Sequence, residues 1–251
     1  MVETVKNAWK IPELRKKLLF VIVAMIVFRF GHAIYVPYVD TKSLATQFAA
    51  YSSTILGYFN ILAGGGLSQA SVFALSVYPY INSSIIMQLL QVAIPSLERL
   101  ARDGGEEGKK KIASITRYVT IGLSLIMGYS YYVLLKTYGV LTRTDLWSGI
   151  VIVLTFVAGS SFVMWLGDQI STKGIGNGVS LIIFIGIVSR GPSALMSMVS
   201  GVAAGTLAWW KAVIILVLFV AIIAFIVFIT NAERRIPVQY AKRVVGRKQY
   251  G

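Results

Sequence analysis

The side chains that could carry out chemistry are few, and they form no catalytic set. Cysteine is absent and His32 is the only histidine, so thiol catalysis and multi-histidine metal sites are excluded. No serine pairs with His32 as nucleophile and base. Arg29 and His32 lie in one apolar run, where they could relay protons or form a structural pair, and we favour the structural pair. The sequence therefore predicts neither an enzyme nor a cofactor site.

A stripe of side chains at helical spacing is more informative. Val77, Ile81, Ser84 and Gln88 follow one another at intervals of four, three and four, so they share one helix face, with Asn82 nearby. The first half of this face is apolar and the second half is polar. Because unpaired amides are costly in lipid, the face should meet a water-filled cavity or a partner helix. Ordinary hydrogen bonding between helices is the simpler alternative.

The glycine-rich run at residues 174–178, Gly-Ile-Gly-Asn-Gly, resembles a phosphate-binding loop at first sight. It follows an apolar helical run rather than a strand, and no Lys-Ser or Lys-Thr pair comes after it. We interpret it as a tight turn that exposes the first residues of the next helix.

The elements that must position these residues are membrane helices. Of 251 residues, 56% are hydrophobic and 14% charged, against about 25% charged in a typical soluble domain. A bilayer core of roughly 30 Å requires about 20 helical residues. The sequence predicts an all-α polytopic membrane protein whose six transmembrane helices occupy residues 18–36, 72–94, 113–136, 146–167, 178–200 and 211–230.

We interpret the net charge of +14 first as a signal of membrane topology, and only second as a sign of nucleic-acid binding. With a cytoplasmic N-terminus, 18 of the 24 Lys and Arg residues lie inside and five outside, so both termini are predicted to be cytoplasmic. The inside segments include residues 1–17, 97–112 and 231–251. No small-residue cleavage site follows the first apolar run, which predicts an uncleaved helix. The basic loops could contact anionic lipids or dock a polyanion or cytosolic protein.

Residues 57–70 fit neither a span nor an ordinary loop. The segment is apolar but too short to cross a bilayer, and Gly64, Gly65 and Gly66 interrupt it. Non-helical backbone at membrane depth is tolerated only inside protein or facing water. The segment is predicted to be re-entrant, and an interfacial loop is an equal alternative on these residues alone.

Several motifs together resemble one family closely. They run in order along the chain: Lys-Ile-Pro-Glu-Leu-Arg at 10–15, Pro-Tyr-Ile-Asn-Ser-Ser-Ile-Ile-Met-Gln-Leu-Leu at 79–90, Met-Trp-Leu-Gly-Asp-Gln-Ile at 164–170, and Tyr-Ala-Lys-Arg at 240–243. With the glycine-rich turn at 174–178, they resemble the bacterial SecY family, the channel subunits of the protein-export translocon.

The resemblance implies a ten-helix fold of two inverted halves around a pore, of which this sequence holds helices one to six. We expect it to be a fragment, part of a split molecule or half of a cleaved one, without helices seven to ten. Residues 57–70 would be the plug, with Leu62, Ala63, Gly64, Gly65, Gly66, Leu67 and Ser68 at its centre. The family's apolar pore ring would receive Val77, Ile81, Val179 and Ile183 from this half. Polar lateral-gate positions would be Asn82, Ser84, Gln88 and Asn177, and docking of ribosome or motor would fall to Arg243, Arg247 and Lys248.

The resemblance also implies a function and partners. The chain would be a passive conduit for secretory and membrane proteins in the bacterial cytoplasmic (inner) membrane. Its partners would be SecE- and SecG-type subunits, the Sec motor ATPase or ribosome, signal sequences and translocating polypeptides, anionic lipids, and a C-terminal half. Half of a secondary transporter with broken helices is the alternative. The aliphatic character of the pore positions favours the conduit, since a transporter needs polar or charged groups at mid-membrane.

Overall fold

The computed structural model describes residues 9–50, 54–233, 243–245 and 248–250, and helices account for most of them. The chain divides into two compact units, residues 1–192 and 193–251. In chain order the helices are α1 (Pro12–His32), α2 (Thr41–Ala50), α3 (Ile55–Leu62), α4 (Tyr78–Ala93), α5 (Pro95–Arg102), α6 (Gly105–Thr137), α7 (Leu146–Lys173), α8 (Gly178–Val188), α9 (Gly191–Ala203) and α10 (Trp209–Thr230). An antiparallel ribbon of β1 (Arg243–Val245) and β2 (Lys248–Tyr250) follows, so the predicted all-α class holds for everything described before it.

Four stretches among the described residues are long and apolar enough to cross a bilayer: Gly105–Thr137, Leu146–Lys173, Gly178–Ala203 and Trp209–Thr230. By length and composition, the structure therefore confirms only four of the six predicted spans. For the predicted span 18–36 the structure has α1, whose first turns carry Glu13, Arg15, Lys16 and Lys17. For 72–94 it has α4, which is only 16 residues long.

The start of α4 differs from the prediction because residues 72–77 form turns instead of helix. Val72 N–H donates to the Ile34 carbonyl at 2.9 Å, and Val36 N–H donates to the Ala70 carbonyl at 2.9 Å. Ser76 has a φ of +48°, which no α-helix accommodates. The chain thus pairs with the stretch after α1 before α4 begins, and a proline in the first turn of α4 suits that start.

The segment at 97–112, predicted as a loop, is mostly helical. It comprises most of α5 and the first turns of α6, which fold back on one another. A Cβ on Gly108 would lie 2.1 Å from the Leu100 carbonyl oxygen, so only glycine permits this approach. Gly105, at φ +53°, makes the reversal between the two helices.

Two apolar clusters form the core of the first unit. The Phe28 cluster consists of Val21, Ala24, Phe28, Phe73, Val77, Val163, Leu166, Ile170 and Ile182. The Tyr131 cluster consists of Val36, Leu44, Phe48, Ala63, Leu67, Ala70, Ala74, Leu75, Tyr131, Leu135, Val140, Ile152 and Phe156. Because lipid is as apolar as these side chains, close packing rather than water exclusion must hold such clusters together.

Helix α2 is capped by the carboxylate that precedes it. Asp40 accepts hydrogen bonds from the backbone N–H groups of Lys42 and Ser43 at 3.1 and 3.4 Å, as an N-cap residue does. It also accepts from the Ser43 hydroxyl at 2.5 Å. The hydroxyl of Ser43, more than any other contact, lowers the pKa of Asp40 from its usual value. The cap orients α2, which contributes Leu44 and Phe48 to the Tyr131 cluster.

In the second unit, α10 exposes apolar side chains around its whole circumference. None of its 22 residues is buried within the protein. A helix that is hydrophobic on every side is typical of a membrane span.

Candidate functional site

The segment predicted to be re-entrant, residues 57–70 and called the re-entrant segment below, is folded into the first unit. It consists of the end of α3, a glycine turn, and a short 3₁₀ helix at Leu67–Gln69. Gly64 and Gly65 have φ values of +66° and +90°, which glycine adopts without the strain that a side chain would bring. Residues 63–67 are all buried, whereas Leu62 is exposed and Ser68 is half-buried. Burial inside protein is the condition under which non-helical backbone is tolerated at membrane depth, and the re-entrant path stays a prediction.

The turn is closed by its own polar groups. Asn60 accepts from Ser68 N–H through its side-chain oxygen at 3.0 Å, and the Ser68 hydroxyl donates to the Gly65 carbonyl at 3.0 Å. Gly64 lies directly against α8, since a Cβ there would be 3.2 Å from the Gly186 Cα. The three glycine N–H groups of the buried turn donate to the carbonyls of Ile61, Asn60 and Ala63, as buried backbone donors require.

His32 connects α1 to this segment. It is buried, with Nε2 2.8 Å from the Ala63 carbonyl oxygen and Nδ1 3.0 Å from the Phe28 carbonyl oxygen. These contacts favour a structural role for His32 over proton relay, and both of its partners are main-chain carbonyls. Arg29, one turn away on α1, is exposed.

The four aliphatic positions assigned by resemblance lie in or against one apolar cluster. Val77, just before α4, is buried in the Phe28 cluster, and the half-buried Ile81, Val179 and Ile183 pack against that cluster. Val179 and Ile183 are one turn apart on α8. Two helices remote in sequence therefore bring branched aliphatic side chains to one place.

The second half of α4 borders an open cleft with the face that carries its glutamines. A cleft of about 190 Å³ lies between α4, α6 and α7, with Ser84 and Gln88 in its lining. Two charged side chains share the lining: Arg117 donates from Nη2 and Nε to one carboxylate oxygen of Asp168, at 2.8 and 3.1 Å. Asn82 is exposed and does not line the cleft.

Asn177 has a local structural role. Its side-chain oxygen accepts from Ser180 N–H at 3.2 Å and so caps α8. The turn before it passes through Gly176 at a φ of +74°, which favours glycine. The start of α8 then packs closely on α7, because a Cβ on Gly178 would lie 2.0 Å from the Gly167 carbonyl oxygen. Gly178 N–H also donates to the Ser171 hydroxyl at 2.9 Å.

Two contacts in this region are absent from the sequence predictions. One is the Arg117–Asp168 ion pair, and the other joins the buried hydroxyls of Ser83 and Thr120, which are 2.9 Å apart. A signal for the ion pair exists in the sequence: Arg117 lies near the start of one predicted span and Asp168 just beyond the end of the next. Consecutive antiparallel spans bring such positions to the same depth.

Two of the three predicted docking residues, Arg243 and Lys248, fall on the ribbon. Arg243 pairs with Tyr250 and Val245 with Lys248 in the backbone register. The side chains of Arg243 and Lys248 lie outside what the structure describes, as does the whole of Arg247.

Comparison with known proteins gives a consistent result. The SecY family model matches residues 71–251. The protein translocase subunit SecY of Pseudomonas aeruginosa is 43% identical over 240 residues, which are 96% of this chain and 54% of that protein. SecY of Aquifex aeolicus is 39% identical over 256 residues, covering 100% of this chain and 60% of that protein.

Two solved structures share the fold. Sec61 in the canine ribosome-channel complex from the endoplasmic reticulum aligns with a TM-score of 0.62 at 16% identity, covering 93% of this chain and 54% of that one. A protein-conducting channel aligns with a TM-score of 0.54 at 17% identity, covering 80% of this chain and 46% of that one. The chain thus spans little more than half the length of its curated relatives.

Proposed function

This chain belongs to the SecY family, and we propose that it forms one wall of a channel through which polypeptides cross or enter the bacterial cytoplasmic membrane. The observation that carries this proposal is the site itself. Aliphatic side chains from the start of α4 and from α8 lie in or against one cluster, and a buried non-helical segment contacts α8 at Gly186 and α4 at Tyr78. An apolar constriction excludes water and ions when empty, yet it offers a passing chain no fixed binding group.

The segment 57–70 serves as the plug of this channel in our proposal. Its glycine turn contacts α8 at Gly186, and its Leu67 belongs to the Tyr131 cluster. In this proposal α1, despite the charges in its first turns, and α4, despite its short length, are counted as spans, so that six segments cross the membrane. Both termini are then cytoplasmic, as the distribution of Lys and Arg predicts.

A channel of this kind needs its other wall. Because the chain matches only 54% of the Pseudomonas aeruginosa protein, we propose that helices seven to ten of the remaining half complete the pore ring and the lateral gate. Ser84 and Gln88 would then border the gate from this side, since both line the cleft on α4. SecE- and SecG-type subunits would support the two halves.

The basic ribbon is proposed as the docking element for a ribosome or the Sec motor ATPase. Arg243, Arg247 and Lys248 carry the charge that such polyanionic or acidic surfaces attract. Anionic lipids are the proposed partners of the lysine-rich start of α6, where Lys109, Lys110 and Lys111 follow one another. Charge reversal at Arg247 and Lys248 should abolish ribosome co-sedimentation at low salt, and unchanged binding would contradict this docking site.

The conduit is tested by transport in vesicles containing the complete protein and an energy source. We expect a protein bearing an export signal to become protected from added protease, while amino acids and sugars are not accumulated. Accumulation of a small solute without protease protection would contradict the proposal and favour a secondary transporter. Ile81→Asp provides the matched variant, because a charge in the apolar cluster should hydrate the constriction and increase ion leakage.

A further inference from the structure

The re-entrant segment is attached to its surroundings through main-chain carbonyl groups. Three of these carbonyls, spaced four residues apart, face polar side chains of three different helices; they belong to Phe59, Ala63 and Leu67. The side chains are those of Tyr78 on α4, His32 on α1 and Tyr131 on α6. No side chain of the segment is required for these three contacts.

His32 is held where it can reach the segment. Its ring meets those of Phe28 and Phe73 edge-on, with centroid distances of 4.5 and 5.9 Å. A neutral imidazole has one N–H, and both of its nitrogens face carbonyl oxygens here. The tautomer protonated at Nε2 donates to the Ala63 carbonyl, which also accepts the Gly66 N–H of the turn at 3.2 Å.

Tyr131 is held as firmly. Its ring packs edge-on against Phe156 at a centroid distance of 5.0 Å, and its hydroxyl donates to the Leu67 carbonyl. Tyr131 is 7% exposed and His32 is 5% exposed. Buried donors without partners are costly, so each of these side chains favours the seated segment over a displaced one. The Tyr78 hydroxyl, 3.4 Å from the Phe59 carbonyl oxygen, is the weaker third contact.

We propose that His32 and Tyr131 form a latch that positions the re-entrant segment by its backbone. This inference rests on the proposed function of that segment as the closure of the channel. Two donors on separate helices hold carbonyls four residues apart, so a movement of α1 relative to α6 would break at least one bond. Closure then depends on the residues of the wall, and side-chain changes at Leu62 or Ser68 should affect it less.

The latch is tested by the resting ion leak of the complete protein in vesicles without a translocation substrate. His32→Leu removes the donor to a buried carbonyl, so the ion leak of this variant should be about tenfold that of the wild type. Tyr131→Phe should increase it by a similar factor, because only the hydroxyl is removed. His32→Gln retains an N–H donor and should stay within about twofold of the wild type. Arg29→Gln, on the exposed face of the same helix, is the control and should not change the leak.

Wild-type leak in either His32→Leu or Tyr131→Phe would overturn the latch, as would a leak in His32→Gln equal to that in His32→Leu. Entry of a secretory protein is measured in the same vesicles. A variant that has failed to fold loses this entry, whereas an unlatched variant keeps it; if His32→Leu does not fold, Tyr131→Phe decides. Absence of entry in the wild type would contradict the conduit, and the leak measurements would still report on the latch.

Discussion

The two ends of the α4 region are built differently. At the start, residues 72–81 pass close to α1, α7 and α8, and Val77 is 2% exposed. At the other end, Ser84 and Gln88 border an open cleft beside a half-exposed ion pair. One end is sealed by close packing and the other is accessible to water, which is the asymmetry that a mouth leading to a constriction requires.

The sealed end depends on close approach of backbone to backbone. A Cβ on Gly159 of α7 would lie 1.9 Å from the Val72 carbonyl oxygen. At the open end the contacts are made by long polar side chains that can rearrange. Substitutions should therefore be severe at the first end and mild at the second.

Gly159→Ala should produce the largest effect. The added methyl cannot be accommodated without moving the backbone at Val72, so we expect a loss of stability of about 3 kcal/mol. Thermal unfolding of the complete protein in detergent would measure it. Gly122→Ala in α6 is the control: a Cβ there meets nothing within 4 Å, and a gain of about 0.5–1 kcal/mol is expected. Equal effects of the two substitutions on stability would contradict the claim that the sealed end depends on close approach of backbone to backbone.

Thr120→Val should have an intermediate effect. It removes the buried hydroxyl next to that of Ser83 and preserves volume, so a loss of about 1 kcal/mol is expected in the same unfolding measurement. Thr137→Val, whose hydroxyl is exposed and bonds only the Val133 carbonyl, should be nearly neutral. A neutral Thr120→Val would mean that the hydroxyl pair contributes nothing to α4–α6 packing.

The ion pair at the open end should contribute least. Arg117 is half-exposed, so a double-mutant cycle of Arg117→Gln and Asp168→Asn should give a coupling of about 0.5 kcal/mol that falls as salt is added. A coupling of several kcal/mol, insensitive to salt, would show that the cleft is closed to water in the complete protein.

Much of this architecture follows from apolar run length alone. The span predicted at 146–167 lies within α7, because a long uncharged run in a membrane has no alternative to helix. Residues 72–77 are equally apolar but form turns, since the deciding hydrogen bonds come from Ile34 and its neighbours, about 40 residues earlier in the sequence. Hydropathy contains no information about such tertiary contacts.

For the site, the family resemblance assigned Val77, Ile81, Val179 and Ile183 to a pore ring. The structure places all four in or against one apolar cluster, and their role in a pore stays a prediction. The contacts of His32 and Tyr131 with the segment were not predictable, because their acceptors are backbone carbonyls, which every residue has. Such a bond leaves no pattern in side-chain types.

The central claim, that the sealed end of α4 faces the path of a polypeptide, is tested most directly by site-specific crosslinking in the complete protein. A photoreactive residue in place of Ile81 should crosslink to a secretory chain stalled during transport. The same residue in place of Leu89, which is 67% exposed, serves as the comparison on the same helix. We predict a strong crosslink from position 81 that depends on the stalled chain. Its absence, with the channel shown to be engaged, would contradict the account.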